Sequence, residues 1–307
     1  MPISVSEFAS SPDFFNAILG HARTMVAGYS ENPRVSSIFA SQQRWLMAHA
    51  GFALHFDTGH EGGLYAARFI AAVTGHNIAS RNTAASFLQE MQAYKLLRLL
   101  SEPPDKRIRR LEPTEQAMTA MRKWVRCHLA LLDSLDGGSR VATFENDPCL
   151  IARLQPFLAS RILRNPRLRQ PGPTFDLFTW ANSGGVVMDF LFARITDFDP
   201  DMDRVMIEPF SPRDVAEHFL ISKTHLKRLI GKAAEMGSNG WDGLPGKSRF
   251  WISRDFIREY WDYQAEKFAL VEEAYRRAAQ SARKIGGTEG RGLTSPLLHE
   301  SLRSAAP

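Results

Sequence analysis

Cysteine is almost missing from this chain: Cys127 and Cys149 are the only two in 307 residues. They form no C-x-x-C pair and stand near no histidine at ligand spacing, which excludes a disulfide framework and argues against a structural metal site. Both are expected simply to pack. Long apolar runs are missing too, since no stretch approaches the roughly 18 residues a membrane span needs. The opening MPISVSEFASSPDFF has neither the basic segment nor the apolar core of a secretory signal, so a soluble, cytoplasmic protein with no membrane partner is expected. The chain also lacks a Gly-rich phosphate loop, a G-x-S-x-G elbow, an H-E-x-x-H pattern and paired catalytic carboxylates, so neither an enzyme nor a cofactor is expected. Charge of one sign is scarce: 38 Lys and Arg face 33 Asp and Glu, a net +5. That excess decides nothing alone, and the placement of the cations must.

What the sequence does have is an internal echo. The length suits about two domains of roughly 150 residues, and four segments recur in the same order. DFFNAILGHARTMVAGYSENPR and DPCLIARLQPFLASRILRNPR each read as a helix stopped by Asn-Pro, at Asn32 and at Asn165. QRWLMAHAGFAL, with Trp45, and FTWANSGGVVMDFL, with Trp180, each read as a buried helix. Ser80 then matches Ser222. Apolar residues follow each serine at helical spacing: Ala84, Phe87, Leu88 and Met91, against Leu226, Leu229, Ile230 and Ala233, with Ile78 and Leu220 two positions before. Each serine thus caps a helix with one apolar face. HLALLD from His128 finally matches KFALVE from Lys267. The collinearity of the four matches points to duplicated halves.

Each half has one organisation. A short helix (GLYAARFIAAVTG or SPRDVAEHFL) meets the serine-capped helix through a tight turn, a helix-turn-helix pattern. Hairpins follow, turning at SEPPDK and at GLPGK, and act as wings. Long helices then start at Thr114 and Ser253. The first half spans 1–138, with a reader helix over 80–94, a wing over 97–111 and a long helix over 114–136. The second spans 139–285, with a reader helix over 222–236, a wing over 239–252 and a long helix over 253–283. A tail over 286–307 reads as disordered. The fold class expected is mainly α with small β-wings, as tandem duplicated winged helix-turn-helix domains in a pseudo-two-fold arrangement.

The run from the capped helix through PPDKR and RRLEPTEQA into a long helix resembles the winged-helix domain of MarR-type transcriptional regulators, with Asp105 and Arg107 at an Asp-x-Arg wing tip. Glu112 and Pro113 are inserted between Leu111 and Thr114 relative to that pattern, Ala117 replaces a common glycine, and GLPGKSR lacks the Asp-x-Arg tip. The resemblance covers residues 63–136 well and 209–278 more loosely. MarR-like proteins normally act as homodimers on double-stranded DNA. The resemblance therefore implies a chain that carries both readers, a monomer acting as a pseudo-dimer. It also implies a small-molecule effector, with Trp45, Phe52 and Phe56 available to line its space.

The residues on the polar faces suit DNA. Arg81, Asn82, Thr83 and Gln89 lie off the apolar face of the first reader, and Asn or Gln can bond an adenine edge as Arg can a guanine. The second reader carries Lys223, Thr224, His225, Lys227 and Arg228. The wings add Lys106, Arg107 and Arg109 in the first and Lys247 and Arg249 in the second, types that contact phosphates or the minor groove. Two alternatives stay open. One is a winged-helix module that binds protein without DNA. The other is a metal-sensing regulator using His49, His55 and His60, although the six-residue step from His49 to His55 places them on opposite sides of a helix.

Overall fold

The computed structural model of the chain describes residues 4–59, 62–101, 108–196, 198–199 and 202–286. It is mainly helical, with two small sheets. The 286–307 tail, beyond its first residue, and the first wing's Lys106 and Arg107 lie outside the described residues. No helix among them is long and apolar enough to cross a membrane.

Local signals place the first helices. α1 (Val5–Ser10) opens with a capping box in which the Ser4 hydroxyl accepts from the Glu7 amide and the Glu7 carboxylate accepts from the Ser4 amide. α2 (Pro12–Glu31) starts from a Ser11 cap with Pro12 at the tolerated first position. Asn32 ends α2 and caps α3 (Pro33–Ile38), its side chain accepting from the Val35 amide. α4 (Gln42–Phe56) leads to β1 (Leu64–Tyr65), α5 (Ala66–Gly75), α6 (Arg81–Ala93), β2 (Leu97–Leu99), β3 (Arg110–Pro113) and α7 (Glu115–Asp136).

After the turn at Gly137 come α8 (Arg140–Asn146), α9 (Leu150–Arg164), α10 (Pro166–Arg169), α11 (Pro173–Thr179) and α12 (Gly184–Ala193). Asn165 and Pro166 divide α9 from α10, as Asn32 and Pro33 divide α2 from α3. β4 (Arg204–Ile207), α13 (Pro212–His218), α14 (Lys223–Glu235), β5 (Asn239–Trp241), β6 (Phe250–Ser253) and α15 (Arg254–Gly286) complete the chain. Two expectations fail here. FTWANSGGVVMDFL is not one buried helix: α11 stops at Trp180, which is 39% exposed, and Ser183 turns at φ 56°. A Cβ on Gly184 would collide with the Phe178 carbonyl, so only glycine fits where α12 begins. Cys149 does not pack either, since it is exposed beside the start of α9.

Both sheets are antiparallel and three-stranded, in the orders β1-β3-β2 and β4-β6-β5. The hairpins expected as wings are β2 with β3 and β5 with β6. The outer strands β1 and β4, paired through Leu64 with Leu111 and Val205 with Ile252, are additions that the sequence pattern did not announce.

The chain forms two compact units, each assembled from separated stretches. One holds the described residues up to Trp45 together with those of Pro166–Ala269; the other holds the described residues of Leu46–Asn165 and of 270–286. The boundary expected at 138 falls inside the second.

In the first unit, α2 packs along α12. Arg23 donates to the Ala193 and Ile195 carbonyls at 2.9 and 3.0 Å, and the Tyr29 hydroxyl to the Phe219 carbonyl at 2.8 Å. The Trp261 indole reaches the Phe8 carbonyl at 2.9 Å. Phe14, Phe178, Phe192, Phe256, Tyr260 and Phe268 fill the core, each side chain worth about 1.5–3 kcal/mol on burial. Lys267 is buried among them, its amine over the Tyr263 and Phe268 rings. Burial pulls that amine down to about 8 despite the nearby Asp189 carboxylate. Burial also raises Asp189 to about 6, although the Tyr260 hydroxyl donates to it at 3.1 Å.

The second unit is pinned by Arg140. Its guanidinium reaches Glu272 at 2.7 Å, Asp136 at 2.6 Å and Asp133 at 3.1 Å, while the Asp133 carboxylate also accepts from the Arg140 and Val141 amides. Glu272 is 5% exposed, so removing the Arg140 cation leaves a buried carboxylate with only the longer pair to Arg276, at 3.8 Å. Arg140→Ala is therefore expected to cost about 3–5 kcal/mol in a urea titration followed by circular dichroism. The Arg140 guanidinium holds Asp136 below the usual carboxylate range. A depressed folded-state pKa contributes stability that is present above the unfolded value of about 3.9 and lost as pH falls through the folded one. The variant should lose part of that acid-side decline, and a variant within 1 kcal/mol of wild type would refute the pinning role.

Candidate nucleic-acid interface

Each unit contains the same succession: outer strand, helix, turn, serine-capped helix, hairpin and long helix. The capped helices are α6 and α14. The Thr83 amide donates to the Ser80 hydroxyl and the His225 amide to the Ser222 hydroxyl, both at 3.2 Å. The caps fix where each helix begins, and the apolar spacing fixes its rotation. Ala84, Phe87, Leu88 and Met91 are buried on α6, as are Leu226, Leu229, Ile230 and Ala233 on α14. Phe69 stacked on Phe87 holds α5 to α6.

Matched backbone turns frame both helices. Asn77 and Leu220, between the paired helices, both have φ 51°, and Lys95 and Gly237, just past the capped helices, have φ 57° and 72°. The Thr114 amide donates to the Leu96 carbonyl and the Ser253 amide to the Ser238 carbonyl. One detail of the sequence alignment is corrected. Ile78 corresponds to Ile221, not to Leu220, because each donates five residues back, to Val73 and to Ala216, and each is buried. The first turn therefore has one more residue, Ala79, and Leu220 stands 55% exposed.

The buried faces leave the polar residues outside. Arg81, Asn82, Thr83 and Gln89 are exposed on α6, the Thr83 hydroxyl engaging Ser80 at 2.9 Å. On α14, Lys223, Thr224, Lys227 and Arg228 are exposed. His225 is not. It is half-buried and accepts a hydrogen bond from Arg228 at Nδ1 (3.0 Å); burial, then the Arg228 charge, lowers its pKa.

The chain matches no family model, no curated protein and no solved structure.

Electrostatic competition differs among the cations. Lys223 lies 3.4 Å from Glu217, which also accepts from Arg213 at 3.0 Å, and Arg249 lies 3.8 Å from Asp242. These are exposed surface pairs, each worth about 0–1 kcal/mol, that a polyanion must displace. Lys227, Lys232 and Lys247 are exposed, as is Arg109 at the foot of the first wing. Arg110 is half-buried, its guanidinium lying against Gly63. Arg98 pairs across the strands with Glu112 at 2.8 Å. Arg213 and Leu220 are also exposed beside the start of α14. In the sequence they are only a cation in a first helical turn and a leucine beside a cap.

Other candidate sites disperse. His49 is buried, accepting from the Gln155 amide at 2.9 Å, with its ring edge on Trp124. His55 is half-buried beside Phe56, and His60 lies outside the described residues. Asp57 pairs with Arg68. Among the described residues no three His, Cys, Asp or Glu come together to hold a metal. Trp45, Phe52 and Phe56 are half-buried. The first unit does have an open cleft of about 700 Å³, lined by Ser4, Ser6, Arg167, Gln170, Asp262 and Glu266, with none of those aromatics in it.

Proposed function

We propose that the protein is a transcriptional regulator that binds double-stranded DNA through two winged helix-turn-helix modules, similar to the MarR type, with both readers in one chain. The observation that carries the reading is α14. Its four buried apolar residues turn Lys223, Thr224, Lys227 and Arg228 outward together, in the same unit as a hairpin bearing Lys247 and Arg249. A capped helix with a cationic outer face and a basic hairpin suits a major groove with a phosphate contact alongside. The face of α6 is more neutral, with Asn82 and Gln89 suited to adenine edges and Arg81 to guanine or phosphate.

The two outer faces differ in chemistry, so the two half-sites should differ in sequence. A single chain then occupies one asymmetric site, where a homodimer would select a palindrome.

The test separates reading from gripping. Duplexes selected from a random pool are titrated by fluorescence anisotropy, with unselected duplex as competitor. Lys227→Ala should lose about 1–3 kcal/mol on the selected duplex and much less on random DNA, whereas Arg109→Ala and Lys247→Ala should weaken both alike. Equal losses for all three variants on both DNAs would show that α14 does not read bases.

A further inference from the structure

Leu244, at the tip of the second hairpin, is 69% exposed, the highest value for a large apolar side chain among the described residues. An exposed leucine means little by itself, but this one stands on a built platform. Its carbonyl accepts three hydrogen bonds, from the Lys247 amide at 3.1 Å, the Ser248 amide at 3.0 Å and the Ser248 hydroxyl at 2.9 Å. Gly246 has φ 77°, and a Cβ there would lie 3.2 Å from the Pro212 ring, so the hairpin closes against the start of α13 where only glycine fits freely. At the base, Phe210, Trp241 and Phe250 pack with ring centroids 4.8–5.1 Å apart. Pro245, also exposed, stiffens the tip further.

The surroundings decide what such a tip meets. Lys247 and Arg249 occupy the returning arm, and residues 211–249 hold seven Lys and Arg against four Asp and Glu. Asp242 lies 3.8 Å from Arg249, so the surround is cationic on balance, and an apolar point there suits a polyanion with an apolar interior, which is the minor groove of a duplex: phosphates at the edge, stacked bases within. We propose that Leu244 is a wedge that enters the minor groove beside the site of α14, unstacks one base step and bends the duplex. The inference rests on the DNA-binding reading above. The first hairpin's tip sequence, Pro103, Pro104, Asp105 and Lys106, has no counterpart to this leucine, so the distortion is confined to one end of the site.

The experiment uses the full chain and a selected duplex of about 30 base pairs. It carries 2-aminopurine at successive positions in one series, and a donor and an acceptor dye at its two ends in another. With wild-type protein, fluorescence rises at a single step and the end-to-end distance shortens as for a bend of about 20–90°. Leu244→Ala abolishes the rise and straightens the duplex while binding stays measurable. Leu244→Phe, which keeps an apolar wedge, retains both signals, and Lys247→Ala weakens binding with the rise retained. A Leu244→Ala variant that unstacks and bends the duplex as wild type does overturns the wedge and leaves DNA binding standing. A wild-type protein that binds no duplex at all overturns both.

Discussion

Produced as separate chains, residues 1–138 and 139–285 should each fail to fold cooperatively, although the sequence halves meet there. The first unit draws α1, α2 and α3 from the first half and α10 to α14 from the second. Its ties cross the cut: Arg23 to the Ala193 and Ile195 carbonyls, Tyr29 to the Phe219 carbonyl, Gln42 to the Leu168 carbonyl at 2.7 Å, and Phe14 packed on Phe268. The second unit crosses it as well, since Arg140 and Glu272 belong to one fragment while Asp133 and Asp136 belong to the other. His49 and Gln155 are divided in the same way. Each fragment thus exposes an apolar helix face that its own residues cannot cover, and the loss exceeds the roughly 5–15 kcal/mol that stabilises an ordinary domain. Thermal melting followed by circular dichroism, with limited proteolysis, reads the outcome. Mixing the fragments should restore a transition only at high concentration, because the covalent link supplies the effective concentration. A cooperative melt from 139–285 alone would show that α2 is dispensable to the first unit.

Affinity for duplex DNA should fall by about three orders of magnitude between 50 and 200 mM salt, with a log-log slope near −5. That corresponds to about six neutralised phosphates, the lower end of the range for a protein of this kind. The lower end follows from the structure. Lys223 faces Glu217 and Arg249 faces Asp242, so two cations already have carboxylates to be displaced, whereas Lys227, Lys232, Lys247 and Arg109 are exposed. Glu217→Gln, which frees Lys223 and Arg213, should tighten binding at low salt and steepen the slope. Anisotropy titrations at four or five salt concentrations suffice. A flat dependence, or no binding at 50 mM, would sink the DNA reading.

Much of each helical module can be read from the chain because its signals are local. Ser80 and Ser222 followed by apolar residues at helical spacing place α6 and α14 to within a residue, since a cap and a 3.6-residue period act over a single turn. Asn32 with Pro33, and Asn165 with Pro166, stop helices for the same reason: proline restricts the residue before it. The outward side chains of α14 follow from its buried face, except His225, whose half-burial and bond to Arg228 depend on what packs beside it.

Contacts between distant residues decided the rest. β1 and β4 are two and four residues long, too short to carry a period, and exist because β3 and β6 offer them a free edge. The break at Trp180 brings Gly184 against the Phe178 carbonyl, an approach only glycine allows, and the register of Ile221 over Leu220 comes from a turn one residue shorter than its counterpart. Arg140 reads as an ordinary surface cation until Glu272, 132 positions away, is brought beside it. Caps, periods and breakers thus determined the secondary elements and the polar faces of the two capped helices. Only the tertiary structure decided which stretches share a core, because burying an apolar face requires a partner and nothing local to that face specifies which one.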